Sequence, residues 1–171
     1  MKKGYRTIVA VVSLFLLVLI DQVTKFAAVK CLKGKEAFSL IPGVFELQYL
    51  ENRGAAFGAL QNQRWFFILI VIFVLAVLLW CFIRFPKEAH YRPLAVLAVF
   101  IAAGAIGNMI DRLLNGYVID FLYFSLIDFP IFNVADIYVT TATALLFVVL
   151  CFYYKEEELD IFRFSKKGEA H

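Results

Sequence analysis

WFFILIVIFVLAVLLWCFI, the stretch from Trp65 to Ile83, decides the class of fold. It contains no charged residue, and almost every side chain in it is aliphatic or aromatic. A helix needs about 20 such residues to cross the roughly 30 Å hydrocarbon layer of a bilayer. The stretch therefore predicts a membrane-spanning helix, with Trp65 and Trp80 near its ends as interfacial anchors.

Three further runs have the same character. Pro93–Ile110 and Ile137–Tyr154 are uncharged, and the apolar run Ile8–Ile20 follows a basic N-terminus. The predicted spans are approximately 6–26, 65–83, 93–114 and 136–154, and the longer connections, 27–64 and 115–133, lie on one side of the membrane. We expect an all-α integral membrane protein with four transmembrane helices, forming one domain over residues 1–171.

The composition supports this class. Hydrophobic residues make up 63% of the 171 residues and charged residues only 18%, with a net charge of +3. A soluble domain is normally about half apolar, and one this short could not bury so much apolar side chain. The sequence has no Lys/Arg stripe with interleaved aromatic residues, so we predict membrane lipid and no nucleic acid as a partner.

The N-terminus resembles a secretory signal peptide, because Lys2, Lys3 and Arg6 precede an apolar run. No small-residue cleavage site follows that run, so a retained first span is the favoured interpretation. Four spans place both termini on one side, which carries ten Lys and Arg residues against seven on the other. This bias is modest, but the short loop Arg84–Arg92 and the basic N-terminus also predict cytoplasmic termini, which places 27–64 and 115–133 outside the cytoplasm.

The two longer connections carry strand and turn signals. Phe38–Leu50 contains the turn dipeptide Pro42-Gly43 followed by rough alternation, which predicts a short strand or hairpin. Asn115-Gly116 predicts the end of the third helix, and Tyr117–Phe124 a further strand.

Polar residues at membrane depth gather on the side of these strands. They are Asp21, Asn52, Asn108, Asp111, Arg112, Asp120, Asn133 and Asp136. Asn108, Asp111 and Arg112 share one helix face by their i, i+3, i+4 spacing. Charges there are costly and normally face the bundle interior, so we infer one polar pocket among spans one, three and four. Gly104 and Gly107 would let span three approach its neighbours closely.

Each polar group also has a purely structural interpretation. Asn133 could cap span four with Asp136 in its first turn, and Asp111 with Arg112 could form an ion pair. Asp21 and Lys25 could pair at i, i+4. Asp120 could be an ordinary loop residue, and Asn52 to Gly54 a plain turn. Convergence on one side favours a common pocket over these separate explanations.

The available side chains restrict the chemistry of such a pocket. The two histidines, His90 and His171, lie on the cytoplasmic side of the predicted topology, so a Ser-His or Cys-His nucleophile is disfavoured. Cys31, Cys81 and Cys151 have no metal-ligand spacing, and we predict neither a disulfide nor a metal site nor a cofactor. Paired carboxylates remain, in which two neighbouring aspartates share a proton and activate a water.

Five blocks, in this order, resemble the signature blocks of the lipoprotein signal peptidase family (signal peptidase II). They are Asp21–Lys25, Glu51–Gly58, Gly107–Arg112, Val118–Phe121 and Phe132–Asp136. The resemblance implies a membrane aspartyl endopeptidase that cleaves diacylglyceryl-modified prolipoproteins before the lipidated cysteine. It also implies a small extracytoplasmic β-cradle and inhibition by globomycin-type peptides.

The resemblance implies roles for named residues. Asp120 and Asp136 would form the catalytic dyad, and the remaining matched residues would shape the pocket and bind substrate. These are Asp21, Asn52, Gly54, Asn108, Asp111, Arg112 and Asn133. Because Asp136 falls in the first turn of span four, where the helix dipole favours negative charge, we predict that Asp136 is ionised and Asp120 holds the proton.

Two other function classes compete with this interpretation. A small proton-coupled carrier would place its carboxylates near the bilayer midplane or on both sides, and a non-catalytic membrane subunit would use them only for assembly. The clustering at one end favours the peptidase. A monomer is expected, because one chain supplies the whole site.

Overall fold

In the computed structural model, described for residues 3–54, 62–86 and 88–162, four long helices run through the chain and a three-stranded sheet stands at one end of them. The helices are α1 (Lys3–Leu32), α2 (Arg64–Arg84), α3 (Arg92–Leu114) and α4 (Val134–Phe152). The strands are β1 (Phe38–Ile41), β2 (Phe45–Asn52) and β3 (Val118–Tyr123). This confirms the predicted fold class.

All four helices are long and apolar enough to cross a membrane. Large apolar side chains point outward from them: Phe15, Leu69, Phe73 and Phe147 are each at least 65% exposed. In water this would be a severe cost, whereas in a bilayer the lipid tails cover these side chains. The apolar exterior, together with the polar groups buried between the helices, fits a membrane protein.

Helix α3 is the centre of the bundle, because it packs against each of the other three helices. Small residues make its approach to α4 possible. A Cβ added at Gly104 would collide with the backbone oxygen of Ala135 and lie 2.6 Å from Val139 Cγ2. Glycine at this position therefore sets the short distance between α3 and α4.

The antiparallel sheet has the strand order β1-β2-β3. Val44 N donates to Ile41 O at 2.9 Å across Pro42-Gly43, and Gly43 has φ +70°. A proline followed by a glycine with positive φ is the pattern of a type II turn, so the predicted turn is confirmed.

Helix α3 ends at Leu114, where Gly116 takes φ +84° and its N–H donates to Arg112 O at 3.2 Å. This positive-φ stop turns the chain into β3. Ala28 and Leu32 of α1 then pack on Ile119 and Phe121 of β3. The sheet is thereby fixed to the helical end that holds the polar residues, which we call the site end of the bundle.

At the other end of the bundle, the start of α1 meets the end of α2. Arg6 Nη1 donates to Phe85 O at 2.9 Å and to Pro86 O at 3.0 Å, and Nη2 donates to Phe82 O at 3.2 Å. Tyr154, beyond α4, packs on this end too. The start of α1 and the residues just after α4 therefore lie away from the site end, as an even number of spans requires.

Candidate active site

A buried lysine joins α1 to α3 at the site end. Lys25 is 1% exposed, and its Nζ lies 2.9 Å from Asp21 Oδ2 and 3.0 Å from Asp111 Oδ2. The same ammonium donates to Asn108 Oδ1 at 2.9 Å. Gln22 Nε2 donates to both carboxylates, at 3.1 Å to Asp21 and 3.2 Å to Asp111. Three acceptors thus take up the three protons of the ammonium.

The two carboxylates of this cluster also hold backbone groups of other elements. Asp21 Oδ1 accepts from Ala135 N of α4 at 2.9 Å, and Asp111 Oδ2 accepts from Ile119 N of β3 at 3.1 Å. A Cβ at Gly107 would collide with Asp21 Oδ2. The cluster therefore fixes α1, α3, α4 and β3 relative to one another.

Helix α4 begins with a reciprocal cap. Asn133 Oδ1 accepts from Asp136 N at 3.0 Å, while Asp136 Oδ2 accepts from Asn133 N at 3.1 Å. This is the capping-box pattern with aspartate in the place of the usual glutamate. The structural interpretation of these two residues as a helix cap is confirmed. The cap does not involve Asn133 Nδ2 or Asp136 Oδ1, which remain available for other contacts.

Those remaining atoms face the other predicted site residues. Asn133 Nδ2 donates to Asp120 Oδ1 at 2.6 Å and to Asn108 Oδ1 at 3.1 Å. Asn108 Nδ2 donates to Asp136 Oδ1 at 2.8 Å. Asp120 and Asp136 are therefore linked through two asparagine amides, one on α3 and one at the start of α4.

Asp120 lies on β3 and is 1% exposed. Asn52 Nδ2 donates to its Oδ2 at 2.8 Å. The sheet register explains this contact, because Val118 is opposite Asn52 and Asp120 is the diagonal neighbour on the same face. Burial, and next the negative charge of Asp136, raise the pKa of Asp120 to about 7, against the weaker opposing effect of its hydrogen bonds to Asn52 and Asn133.

Both aspartates line one cavity of about 470 Å³. Its lining combines polar and apolar residues. The polar residues are Asn52, Asn108, Arg112, Asp120, Asp136, Thr140 and Thr141, and the apolar ones include Phe67, Phe129, Phe132 and Ile137. Such a cavity can hold a peptide backbone through its polar groups and apolar side chains through its apolar groups.

Arg112 connects the cavity wall to the end of β2. Its Nη2 donates to Gly54 O at 3.2 Å, and its guanidinium lies 4.6 Å from the centre of the Phe67 ring. Gly54 N in turn donates to Asn52 Oδ1 at 3.0 Å. The rest of the block that begins at Glu51, residues 55–58, lies outside the described residues.

The structure brings all of the predicted site residues to the site end. Asp111 takes Lys25 as its cation instead of its sequence neighbour Arg112, because Arg112 turns toward Gly54 and the cavity. The i, i+4 pair of Lys25 with Asp21 that the spacing predicts is present. The contacts of Lys25 with α3 cannot be read from local spacing. Gln22, which bridges both carboxylates, carried no signal of its own.

The three thiols are free, and Cys31 and Cys151 are exposed. Within residues 3–54, 62–86 and 88–162, no group of three or more His, Cys, Asp or Glu side chains could hold a metal ion.

The four-helix bundle and the cavity at its site end are those of a polytopic membrane enzyme. Two solved structures reported as bacterial membrane enzymes, at 2.3 Å and 1.9 Å resolution by the in meso method, match it with TM-scores of 0.75 and 0.74. They are 34% and 35% identical in sequence, over 95% and 85% of this chain and 93% and 94% of theirs.

The family follows from the sequence comparisons. The sequence model of the family Signal peptidase (SPase) II matches residues 13–152, so the chain belongs to the signal peptidase II family. Lipoprotein signal peptidases of Streptococcus pyogenes serotypes M1 and M5 (strain Manfredo) are 43% and 44% identical over 148 residues. Each match covers 86% of this chain and 94% of the relative. The chain is thus a membrane peptidase that acts on lipoproteins, and the carrier and subunit interpretations lose their support.

Proposed function

We propose that this peptidase is of the aspartic type, with Asp120 and Asp136 as the dyad that activates a water. It would remove the signal peptide from diacylglyceryl-modified prolipoproteins by cutting before the lipidated cysteine. The observation that carries the proposal is the sharing of one cavity by these two carboxylates, joined through Asn108 and Asn133. Family membership supplies the substrate class.

The two carboxylates differ in a way that suits this chemistry. Asp136 sits in the first turn of α4, where the helix dipole favours its ionised form. Asp120 lies on a strand without that dipole, and its raised pKa, about 7, leaves a large share of it protonated at neutral pH and most of it protonated below. One base and one acid side by side are what hydrolysis of a peptide bond requires.

The reaction then balances as follows. Asp136 takes a proton from a water molecule while the water oxygen attacks the scissile carbonyl carbon. Asp120 gives its proton to the carbonyl oxygen. The tetrahedral intermediate collapses when the amide nitrogen takes the proton from Asp136 and the C–N bond breaks. The hydroxyl proton returns to Asp120, which leaves a new carboxylic acid and a free amine. The chain needs no metal or cofactor for these steps.

The amides around the dyad would hold the charges in place during this cycle. Asn52 and Asn133 each donate to a different oxygen of Asp120, and Asn108 donates to Asp136. We assign the substrate backbone to the part of the cavity near Arg112 and Gly54, because these residues line the same cavity as both carboxylates. A globomycin-type peptide would inhibit by occupying the same cavity.

The proposed membrane orientation places the dyad near the extracytoplasmic face of the bacterial cytoplasmic membrane, with both termini in the cytoplasm. The excess of Lys and Arg on the termini and on the loop between α2 and α3 supports this orientation. The site end also carries the sheet, which suits the side where a translocated substrate emerges. One chain supplies the whole cavity, so a monomer suffices.

The decisive experiment measures cleavage of a diacylglyceryl-modified prolipoprotein by the purified protein in detergent, with a chelator present. We expect Asp120→Asn and Asp136→Asn to lower kcat by about 10²- to 10⁴-fold, which is the usual contribution of a positioned acid or base. Asp128→Asn is the matched control, because Asp128 is exposed and its carboxylate accepts a hydrogen bond from the Tyr123 hydroxyl at the surface. Near-parent turnover by either dyad variant with an unchanged melting temperature would refute the dyad.

A further inference from the structure

Three asparagine amides face the dyad, and each must present its NH2 group to a carboxylate. An amide can flip by 180°, which would turn its carbonyl oxygen toward the carboxylate and create a repulsion between two acceptors. A second contact at the oxygen end is therefore needed to select one orientation. Asn52 and Asn133 obtain that contact from backbone N–H groups, those of Gly54 and Asp136, each at 3.0 Å.

Among the described residues, no backbone N–H group donates to the side chain of Asn108. It lies in the interior of α3, where the neighbouring N–H groups are used in the helix itself. Its oxygen end instead accepts from the ammonium of Lys25 at 2.9 Å, in addition to Asn133 Nδ2 at 3.1 Å. Its nitrogen end faces Asp136 Oδ1 at 2.8 Å.

A flip of Asn108 would be costly because of this ammonium. Lysine can only donate hydrogen bonds, so a flipped amide would set its NH2 group against the Lys25 ammonium and its oxygen against the Asp136 carboxylate. Both new contacts are repulsive. Lys25 is held in place by Asp21 and Asp111, so it cannot turn away to relieve the first of them.

We propose that Lys25 is a positioning residue for catalysis, which orients the Asn108 amide so that it donates to Asp136 and holds that carboxylate ready to take a proton from water. Lys25 is 1% exposed and donates to Asn108, so it acts through Asn108 and does not touch the substrate. The inference rests on the proposed role of Asp136 as the base. It adds a function for the buried ion cluster beyond holding the helices together.

A double-mutant cycle on kcat tests this. We expect Lys25→Met to lower kcat by about 10- to 100-fold, the usual effect of losing a hydrogen bond to a charged group, with KM changed less than about 3-fold. Asn108→Ala should lower kcat by a similar factor. If Lys25 acts through Asn108, adding Lys25→Met to Asn108→Ala should cost less than about 3-fold more.

Folding needs its own control, because Lys25→Met leaves two buried carboxylates without their cation. The double variant Lys25→Met/Asp111→Asn removes one negative charge together with the positive charge of Lys25, so the net charge of the buried cluster is unchanged. It is compared with Asp111→Asn alone. Each variant is accepted for kinetics when its melting temperature in detergent stays within a few degrees of its reference. Lys33→Met is the matched exposed control, since Lys33 pairs with Glu51 on the surface, and it should keep the parent kcat.

Additive losses of kcat in the cycle would overturn the inference, as would a Lys25→Met variant that keeps the parent kcat. These outcomes are distinct from failure of the proposed function. If the dyad variants lose turnover while the cycle is additive, only the role of Lys25 is wrong. If the dyad variants keep turnover, the proposed function itself fails.

Discussion

Replacing Asn52 by alanine should move the high-pH limb of the activity profile to higher pH. Asn52 Nδ2 donates to Asp120 Oδ2 at 2.8 Å, and this hydrogen bond stabilises the ionised form of Asp120. Its loss disfavours ionisation, so the pKa of Asp120 rises further above its value of about 7. In the proposed mechanism Asp120 must be protonated, so activity is present below this pKa and falls as pH rises through it.

The size of the shift follows from the strength of the contact. A hydrogen bond to a charged group contributes about 1.5–3 kcal/mol, and one pKa unit corresponds to about 1.4 kcal/mol. The full loss of the bond would therefore raise the pKa of Asp120 by about one to two units. Water entering beside Asp120 would restore part of the lost stabilisation of its ionised form, so we expect the high-pH limb to move by about one pH unit.

The assay is the pH dependence of kcat/KM on a diacylglyceryl-modified prolipoprotein between about pH 5 and 10. The quantity compared between the parent and Asn52→Ala is the pH at which kcat/KM falls, because the magnitude of kcat/KM also reflects substrate binding. Gln48→Ala is the matched control on the same strand, because Gln48 is exposed and should leave the limb where it is. A limb that stays in place or moves to lower pH in Asn52→Ala contradicts the assignment of the proton to Asp120.

Two predictions concern stability at the two ends of the bundle. Gly107→Ala should lower the free energy of unfolding by about 1–3 kcal/mol, because its Cβ would collide with Asp21 Oδ2, and should lower activity with it. Gly4→Ala, where a Cβ meets nothing within 4 Å, should be neutral or slightly stabilising; equal melting temperatures for the two variants would contradict this account. Arg6→Gln should lower the free energy of unfolding by about 1–3 kcal/mol, and the melting temperature with it, because it removes donors from the carbonyl groups at the end of α2. It should leave kcat/KM unchanged, and a large kinetic effect without loss of stability would show that the two ends of the bundle are coupled.

Much of the fold could be predicted from the chain because the signals are local. An uncharged run such as Trp65–Ile83 has few alternatives to a spanning helix, since only a bilayer can accept so much apolar surface. Pro42-Gly43 and Gly116 mark turns through backbone geometry alone. The shared face of Asn108, Asp111 and Arg112 likewise follows from helical spacing.

The partners within the site could not be predicted in this way, because they depend on contacts between distant parts of the chain. Asp21 and Ala135 are 114 residues apart, and their hydrogen bond exists only once α1 packs on α4. Asn52 reaches Asp120 because of the strand register, which includes an irregularity between Leu47 and Leu50 that alternation does not reveal.

The sequence by itself determined that this chain crosses a membrane four times and carries its polar groups at one end, because hydropathy and helical period are properties of single segments. Only the tertiary structure decided that Lys25 of α1 binds Asp111 and Asn108 of α3. It also decided which end of each asparagine amide faces an aspartate. The physical reason is that a buried donor must find an acceptor, and several candidates stand at this end of the bundle. Packing alone selects among them.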